Sequence, residues 1–399
     1  MLVRQDIPAL FTGLMATLVG IGVARFAYTP LLPALIDHGW FSASQAAYLG
    51  AANLLGYFIG ALSAHALSER FPIRGVMACA YAGTALSFLA CAGAGTFAWF
   101  FCWRLVSGIA GAILMVVGPS LAVSSTPARR RASVGALVFS GIGFGALLSA
   151  TVVPSLVALG LPVTWLALGV LTALAGLAGN WGLSRLSTAR PRSTATDESA
   201  HATGPAIAVG LVIAAYALDA AGFVPHTVFW VDYLAREAGL GADAASLQWA
   251  IFGIGAVLGP LLAGMAARRL GWHRGLALAF LVKALAVALP LVSVALLSRS
   301  LSSLIVGAMI PGIVALTSGR LAELVGPAAH KRLWGRATAA FAAAQALSGY
   351  GMSALYDAWG TYSPLFAIAG ALLAGGLALV LPSRAAEERY RTFPRPRRH

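Results

Sequence analysis

Apolar residues run along this chain in stretches of about 20 or more, separated by short polar breaks, the length a helix needs to cross about 30 Å of hydrocarbon at 1.5 Å per residue. Twelve such stretches can be marked: 8–36, 44–67, 74–94, 97–123, 133–158, 162–183, 206–235, 244–267, 275–297, 300–324, 334–357 and 361–382. A longer break, Ser184 to Pro205, is rich in Ser, Thr, Ala and Arg and reads as a flexible polar linker. The pattern predicts an all-α polytopic membrane protein. Its expected parts are a six-helix bundle over 1–183, a linker over 184–205, a second six-helix bundle over 206–382 and a basic tail over 383–399.

Composition agrees. Of 399 residues 59% are hydrophobic and 10% charged, and the mean hydropathy is +0.83, whereas soluble domains carry about 25% charged residues. A net charge of +14 raises the thought of nucleic acid, but no soluble region carries a basic face, so no nucleic-acid partner is expected. Cys79, Cys91 and Cys102 lie inside apolar stretches without metal-ligand spacing, so neither a metal site nor a disulfide framework is expected. Residues 1–7 lack the marks of a cleaved signal, and the first stretch is expected to remain as a span.

The cations fix an orientation. With the N-terminus and linker inside, 22 of the 27 Lys and Arg residues fall on inner segments, two (Arg236 and Arg299) outside and three within spans. The positive-inside rule therefore places both termini in the cytoplasm.

The three cations within spans are Arg25, Arg104 and Lys283, and Asp219 and His226 share their depth. A charge at mid-bilayer costs roughly 2.5–3.5 kcal/mol even on the lenient insertion scale, so such groups usually face a protein interior or a watery cavity. Helical spacing puts Leu18, Gly22, Arg25, Thr29 and Leu32 on one face, and Arg104, Gly108, Gly111 and Met115 on another. It also puts Tyr216, Asp219, Phe223, His226 and Trp230 on one stripe. Aromatics beside charges suit a cavity that holds an organic solute. Two blander readings compete: Arg25 and Asp219 as a structural pair joining the halves, and Lys283 as a side chain snorkelling from a peripheral helix to the interface.

Sliding the second half over the first by 199 residues aligns Gly56-x-x-x-Gly60 with Gly255-x-x-x-Gly259 and Arg70 with Arg269. Parallel six-span halves related by an axis along the membrane normal mark one large transporter class. Here the residues resemble the major facilitator superfamily. Gly60 is followed by Ser68-Glu69-Arg70-Phe71-Pro72-Ile73-Arg74, similar to that family's loop signature, with Glu for Asp and Pro for the turn Gly. The second copy, Ala267-Arg268-Arg269-Leu270-Gly271-Trp272-His273-Arg274, keeps the Gly. Arg104-x-x-x-Gly108 resembles the motif of the fourth span, and the opening from Gly20 through Arg25, Tyr28 and Pro30 to Pro33 resembles the YbfB/YjiJ-like bacterial branch.

The resemblance implies twelve transmembrane helices as two pseudo-symmetric bundles, with spans 1, 4, 7 and 10 lining a central cavity. It implies a secondary transporter of the bacterial inner membrane, working by alternating access, coupled to protons and expected to act as a monomer. The expected substrate is a small organic solute, favouring an anion such as a carboxylate, held by Arg25, Tyr28, Arg104, Tyr216, His226 and Trp230. Asp219 with His226 is the expected proton path. Gly60, Glu69, Arg70, Arg74, Arg269, Arg320 and Glu323 are the expected gating or motif positions. No cofactor, phosphate-binding loop or catalytic set is expected, so the chain does not read as an enzyme. The alternatives are a proton-driven exporter of amphipathic compounds and a membrane sensor that transports nothing.

Overall fold

The computed structural model describes residues 3–186 and 205–392. Among these every regular element is a helix. The N-terminal half comprises α1 (Arg4–Asp37), α2 (Ala43–Arg70), α3 (Ile73–Ala90), α4 (Phe97–Ser124), α5 (Ser133–Val157) and α6 (Leu161–Ser184). The C-terminal half comprises α7 (Ala206–Glu237), α8 (Gly241–Leu270), α9 (Trp272–Val292) and α10 (Leu296–Gly326), then α11 (327–359) and α12 (Ser363–Thr392). Helices α10 and α11 are separated by Gly326, whose φ of 74° and ψ of 170° swing the chain between them.

Eleven of the twelve are long and apolar enough to cross a membrane by composition alone. The exception is α11, diluted by Arg336, Gln345, Ser348, Tyr350 and Ser353. Gln345 and Ser353 are fully buried, so its polarity serves the interior. The twelve-helix, two-bundle fold expected from the sequence is the fold adopted. Helices overrun the apolar stretches, most of all α12, which continues through Arg384 to Thr392 with an Arg384–Glu388 pair at 2.9 Å. Most of the expected linker, 187–204, and the tail from 393 lie outside the described residues.

The internal repeat is visible in how helices cross. A Cβ on Gly56 would strike the Leu105 carbonyl, and one on Gly255 the Leu304 carbonyl. Gly60 meets Ile109 and Gly259 meets Ala308; Gly108 meets Asn53 and Gly307 meets Phe252. Each pair of partners is offset by the same 199 residues, so the α2–α4 crossing is reproduced at α8–α10. Small residues let backbones approach this closely where lipid supplies no hydrophobic drive for helix association. Gly56→Val and Gly255→Val are each expected to lower the melting temperature of detergent-purified protein, because overpacking a filled crossing costs about 1–3 kcal/mol. The repeat breaks at one turn. Gly271 has φ of 80°, open to glycine, whereas its counterpart Pro72 has φ of −57°.

A candidate site where the two halves meet

Two helices that carry candidate residues, α1 and α7, lose their regularity. In α1 the stretch Leu18–Val23 is a π-helix, the Tyr28 amide turns to the Arg25 carbonyl at 3.2 Å, and Pro30 and Pro33 follow without an N–H to offer. The Ala24 carbonyl is thereby released. Arg104 Nη1 donates to it at 2.9 Å, Asn53 Nδ2 at 3.4 Å and Ser107 Oγ at 3.5 Å. In α7 Pro225 opens a second π segment, Pro225–Phe229. The Ala221 carbonyl one turn earlier takes the Ser348 hydroxyl instead, at 3.0 Å. Such irregular turns recur at functional sites, and at membrane depth they persist only where neighbours supply the missing bonds.

The break in α1 presents Arg25 inward. Its side chain is 6% exposed and its guanidinium lies 4.4 Å above the centre of the Tyr57 ring. Nη1 donates to Gln345 Oε1 on α11 of the other half, at 2.9 Å. Arg25 Nε, Arg25 Nη2 and Gln345 Nε2 are buried without a hydrogen-bond partner. Among the described residues no carboxylate pairs with Arg25 or Arg104.

Arg104 and Tyr28, also expected at the site, are engaged with the protein itself. Arg104 holds the Ala24 carbonyl and lies 4.4 Å over the Tyr28 ring, while the Tyr28 hydroxyl donates to the Ala46 carbonyl at 2.7 Å. Asn53, unnoticed in the sequence, also reaches the Arg104 carbonyl at 3.4 Å. Its signal was a lone amide inside an apolar span. Arg104→Ala is expected to destabilise the protein by about 1–3 kcal/mol, the cost of leaving a buried acceptor poorly satisfied. Thermal melting beside Arg104→Lys, which keeps a donor, checks this.

Asp219 does not meet Arg25. It pairs with Lys283 of α9 at 2.6 Å, both side chains wholly buried, and its Oδ2 has no partner. This corrects two expectations: Lys283 does not snorkel, and Arg25 and Asp219 are not each other's counter-ion. The Lys283 ammonium is fully enclosed among helices and has the Asp219 carboxylate within reach. The Lys283 ammonium also stands 4.7 Å from the centre of the Phe223 ring.

The remaining α7 stripe is aromatic and polar. Tyr216 packs on Phe341 (4.5 Å between ring centres) and stacks on Trp334 (5.6 Å). His226 stacks on Trp230 at 4.6 Å, and its Nε2 meets Ser302 Oγ at 2.8 Å. Trp230 Nε1 donates to Ser303 Oγ at 2.9 Å, which in turn donates to Gln248 Oε1 at 3.3 Å. At the far end of α7, Asp232 takes a two-pronged contact from Arg236 (2.5 and 2.7 Å) and the Tyr362 hydroxyl at 2.5 Å. Burial, with Asp232 beside it, pushes the Tyr362 hydroxyl well above its ordinary range, so it stays a donor there.

Contacts between the halves run from the middle of the bundle, where Gly143 meets Val257, toward the loop after α1. Thr29 Oγ1 donates to the Thr227 carbonyl at 2.5 Å and Trp249 Nε1 to Ser149 Oγ at 2.8 Å. Phe26 sets its edge on Trp249 and Phe252, and Tyr48 faces Tyr350. With Arg25–Gln345 the described hydrogen bonds between halves lie at the level of Arg25 or toward the loop after α1, away from the termini. The molecule is thus closed on the face opposite its termini.

The motif positions lie on the termini face, apart from the site. Gly60 packs on the Ile109 carbonyl. Glu69 meets His65 of its own helix at 3.2 Å, while Arg70 and Arg269 are exposed at the ends of α2 and α8. Arg74 Nη2 donates to the Ser184 carbonyl at 3.2 Å. Arg320 bonds both Glu323 and Glu387 at 2.6 Å, a tie from α10 to α12 that the sequence showed only as its Glu323 arm.

Comparison with known proteins agrees with this architecture. The family model described as "Uncharacterised MFS-type transporter YbfB" matches residues 17–381. The chain is 26% identical over 316 residues to a protein of Pseudomonas putida named a gallate transporter, covering 71% of this chain and 69% of that one. A crystal structure of a D-xylose–proton symporter superposes with a TM-score of 0.73 at 17% identity, over 95% of this chain and 96% of the other, a likeness of fold.

Proposed function

The chain belongs to the YbfB-type family of major facilitator transporters, and from that premise we propose that it is a proton-coupled carrier of organic carboxylates, with aromatic carboxylates its preferred cargo. One observation carries the reading. Three buried donors without partners, Arg25 Nε, Arg25 Nη2 and Gln345 Nε2, come from two residues on opposite halves. A carboxylate has two oxygens able to accept all three, and guanidinium–carboxylate pairs are favoured for their forked geometry. Filling the site would neutralise a cation that is otherwise buried alone, and would tie α1 to α11. Tyr57 beneath the guanidinium, with Tyr216 and Phe341 nearby on the other half, gives the rest of such a substrate flat apolar surfaces. Gallate is itself an aromatic carboxylate, so the relative's name agrees with this chemistry.

Alternating access follows from the same placement. A site shared by two rigid bundles changes its exposure when one rocks against the other. Arg4, Arg70, Arg74, Arg130, Arg268 and Arg269 crowd the termini face, which the positive-inside rule puts in the cytoplasm of a bacterium with the chain in its inner membrane. The closed face is then the outer one. Asp219 is the proton carrier, with His226 on the same stripe, and the protein works as a monomer.

Counterflow of radiolabelled gallate in proteoliposomes tests the reading. Benzoate and hydroxybenzoates are expected to compete, and benzamide, the same ring without the charge, is not. Competition by benzamide equal to benzoate would overturn the carboxylate site. Transport of lipophilic cations in place of gallate would make the protein an exporter, and binding without exchange would make it a sensor.

A further inference from the structure

Lys283 has no role in the reading so far, and its place is unusual. The counterparts of Asp219 and Lys283 one repeat earlier are Gly20 and Thr84, so the same helix pairing is built in the first half without any charge. A buried ion pair is weak evidence for stability, since a well-packed neutral pair often does as well. The pair is therefore not demanded by the fold.

Its surroundings connect it to Arg25. Phe341 and Gln345 stand one turn apart on α11. Gln345 bonds Arg25, while Phe341 packs on Tyr216 and lies 5.7 Å from Phe223, the ring beneath the Lys283 ammonium. One ridge of one helix thus touches both the candidate anion site and the residues around the pair. Resting on the carboxylate reading, we infer that Asp219 and Lys283 together form the proton-exchange site of the carrier, and that the Phe341–Gln345 ridge couples its occupancy to the anion at Arg25.

The charges balance. Around the anion site and the pair, Arg25, Arg104 and Lys283 against Asp219 leave a charge of two positive. An arriving carboxylate removes one unit, and a proton adding to the unpartnered Asp219 Oδ2 restores it. The proton comes from the aqueous phase, no other bond is made or broken, and Lys283 keeps its proton throughout. The titratable groups facing the pair are Tyr216 and His226 of α7, His226 being within electrostatic reach of Lys283. From α11, Phe341 packs on Tyr216 and Phe223 and the Ser348 hydroxyl bonds the Ala221 carbonyl, and neither side chain is charged. Binding and protonation are then linked reciprocally: anion binding draws in a proton, and lower pH tightens the anion.

Proton uptake on mixing weakly buffered, detergent-purified protein with gallate reads the coupling directly. Wild type is expected to take up about one proton per gallate bound, by the linkage above. The neutral double variant D219N/K283Q is expected to bind gallate and take up none. F341A, compared at saturating gallate because Phe341 also lines the substrate surface, is expected to take up at most half as many protons per gallate bound. Uptake in the double variant equal to wild type overturns the proposal, and undiminished uptake in F341A overturns the ridge. Failure of wild type to bind gallate strikes the carboxylate reading instead. The exchange site is then decided without substrate, by the infrared carbonyl band of a protonated buried carboxyl. The band is expected on acidification, absent in D219N and displaced along the pH axis in K283Q. A band missing from wild type, or unmoved by K283Q, overturns the proposal in that case as well.

Discussion

Arg25→Met weakens carboxylate binding about 30-fold or more while leaving the substrate-free protein as stable as wild type or more so; that combination is the expected result. Truncating one partner of a buried, hydrogen-bonded charge pair costs about 2–5 kcal/mol, which is about 30-fold to several thousand-fold in affinity. In the substrate-free protein the balance is reversed. The guanidinium has one hydrogen bond, to an amide oxygen, and two nitrogens without partners, and a charge at such depth costs roughly 2.5–3.5 kcal/mol. Methionine keeps most of the volume and removes the charge. Equilibrium binding of labelled gallate and thermal melting of the same preparation give the two numbers. A residue serving only the fold would show the reverse: lower melting temperature and unchanged affinity.

Lys283→Leu carries the largest expected loss of stability. It leaves the Asp219 carboxylate enclosed with no cation beside it, and breaking a buried pair from one side costs about 3–5 kcal/mol. Asp219→Asn in the same protein removes the stranded charge, so D219N/K283L is expected to recover most of the loss. The measurement is the midpoint of thermal unfolding for the two single variants and the double one. Additive losses would mean that the two residues do not interact in the folded protein, whatever their separation. Recovery places the cost in electrostatics and keeps the double variant available for transport work.

Much of this molecule was legible in its sequence, for reasons particular to a membrane. Hydrocarbon leaves the backbone no partner but itself, so each apolar stretch of sufficient length had one outcome, and even α11, the least apolar, was marked as such a stretch over 334–357. The repeat at 199 residues was visible in four glycines. The crossing they make was not, because carbonyl contacts such as Gly108 on Asn53 depend on which helix lies beside which. At the site, helical spacing correctly placed Arg25 inside and put Tyr216, Asp219 and His226 on one stripe. It could not assign partners. Lys283 and Gln345 lie far along the chain from Asp219 and Arg25, and both pairings depend on the tilt of α9 and α11, which no periodicity encodes. Arg104 is the instructive case: a motif charge at the expected depth, turned to the Ala24 carbonyl that the irregular turn of α1 leaves free.

A structure of the protein bound to gallate, resolved well enough to place the carboxylate, tests the central claim most directly. It is expected to show the two carboxylate oxygens on Arg25 Nε and Nη2, with Gln345 Nε2 turned to one of them, so that the ligand bridges α1 and α11. Gallate bound elsewhere, with Arg25 still joined only to Gln345, would contradict the account.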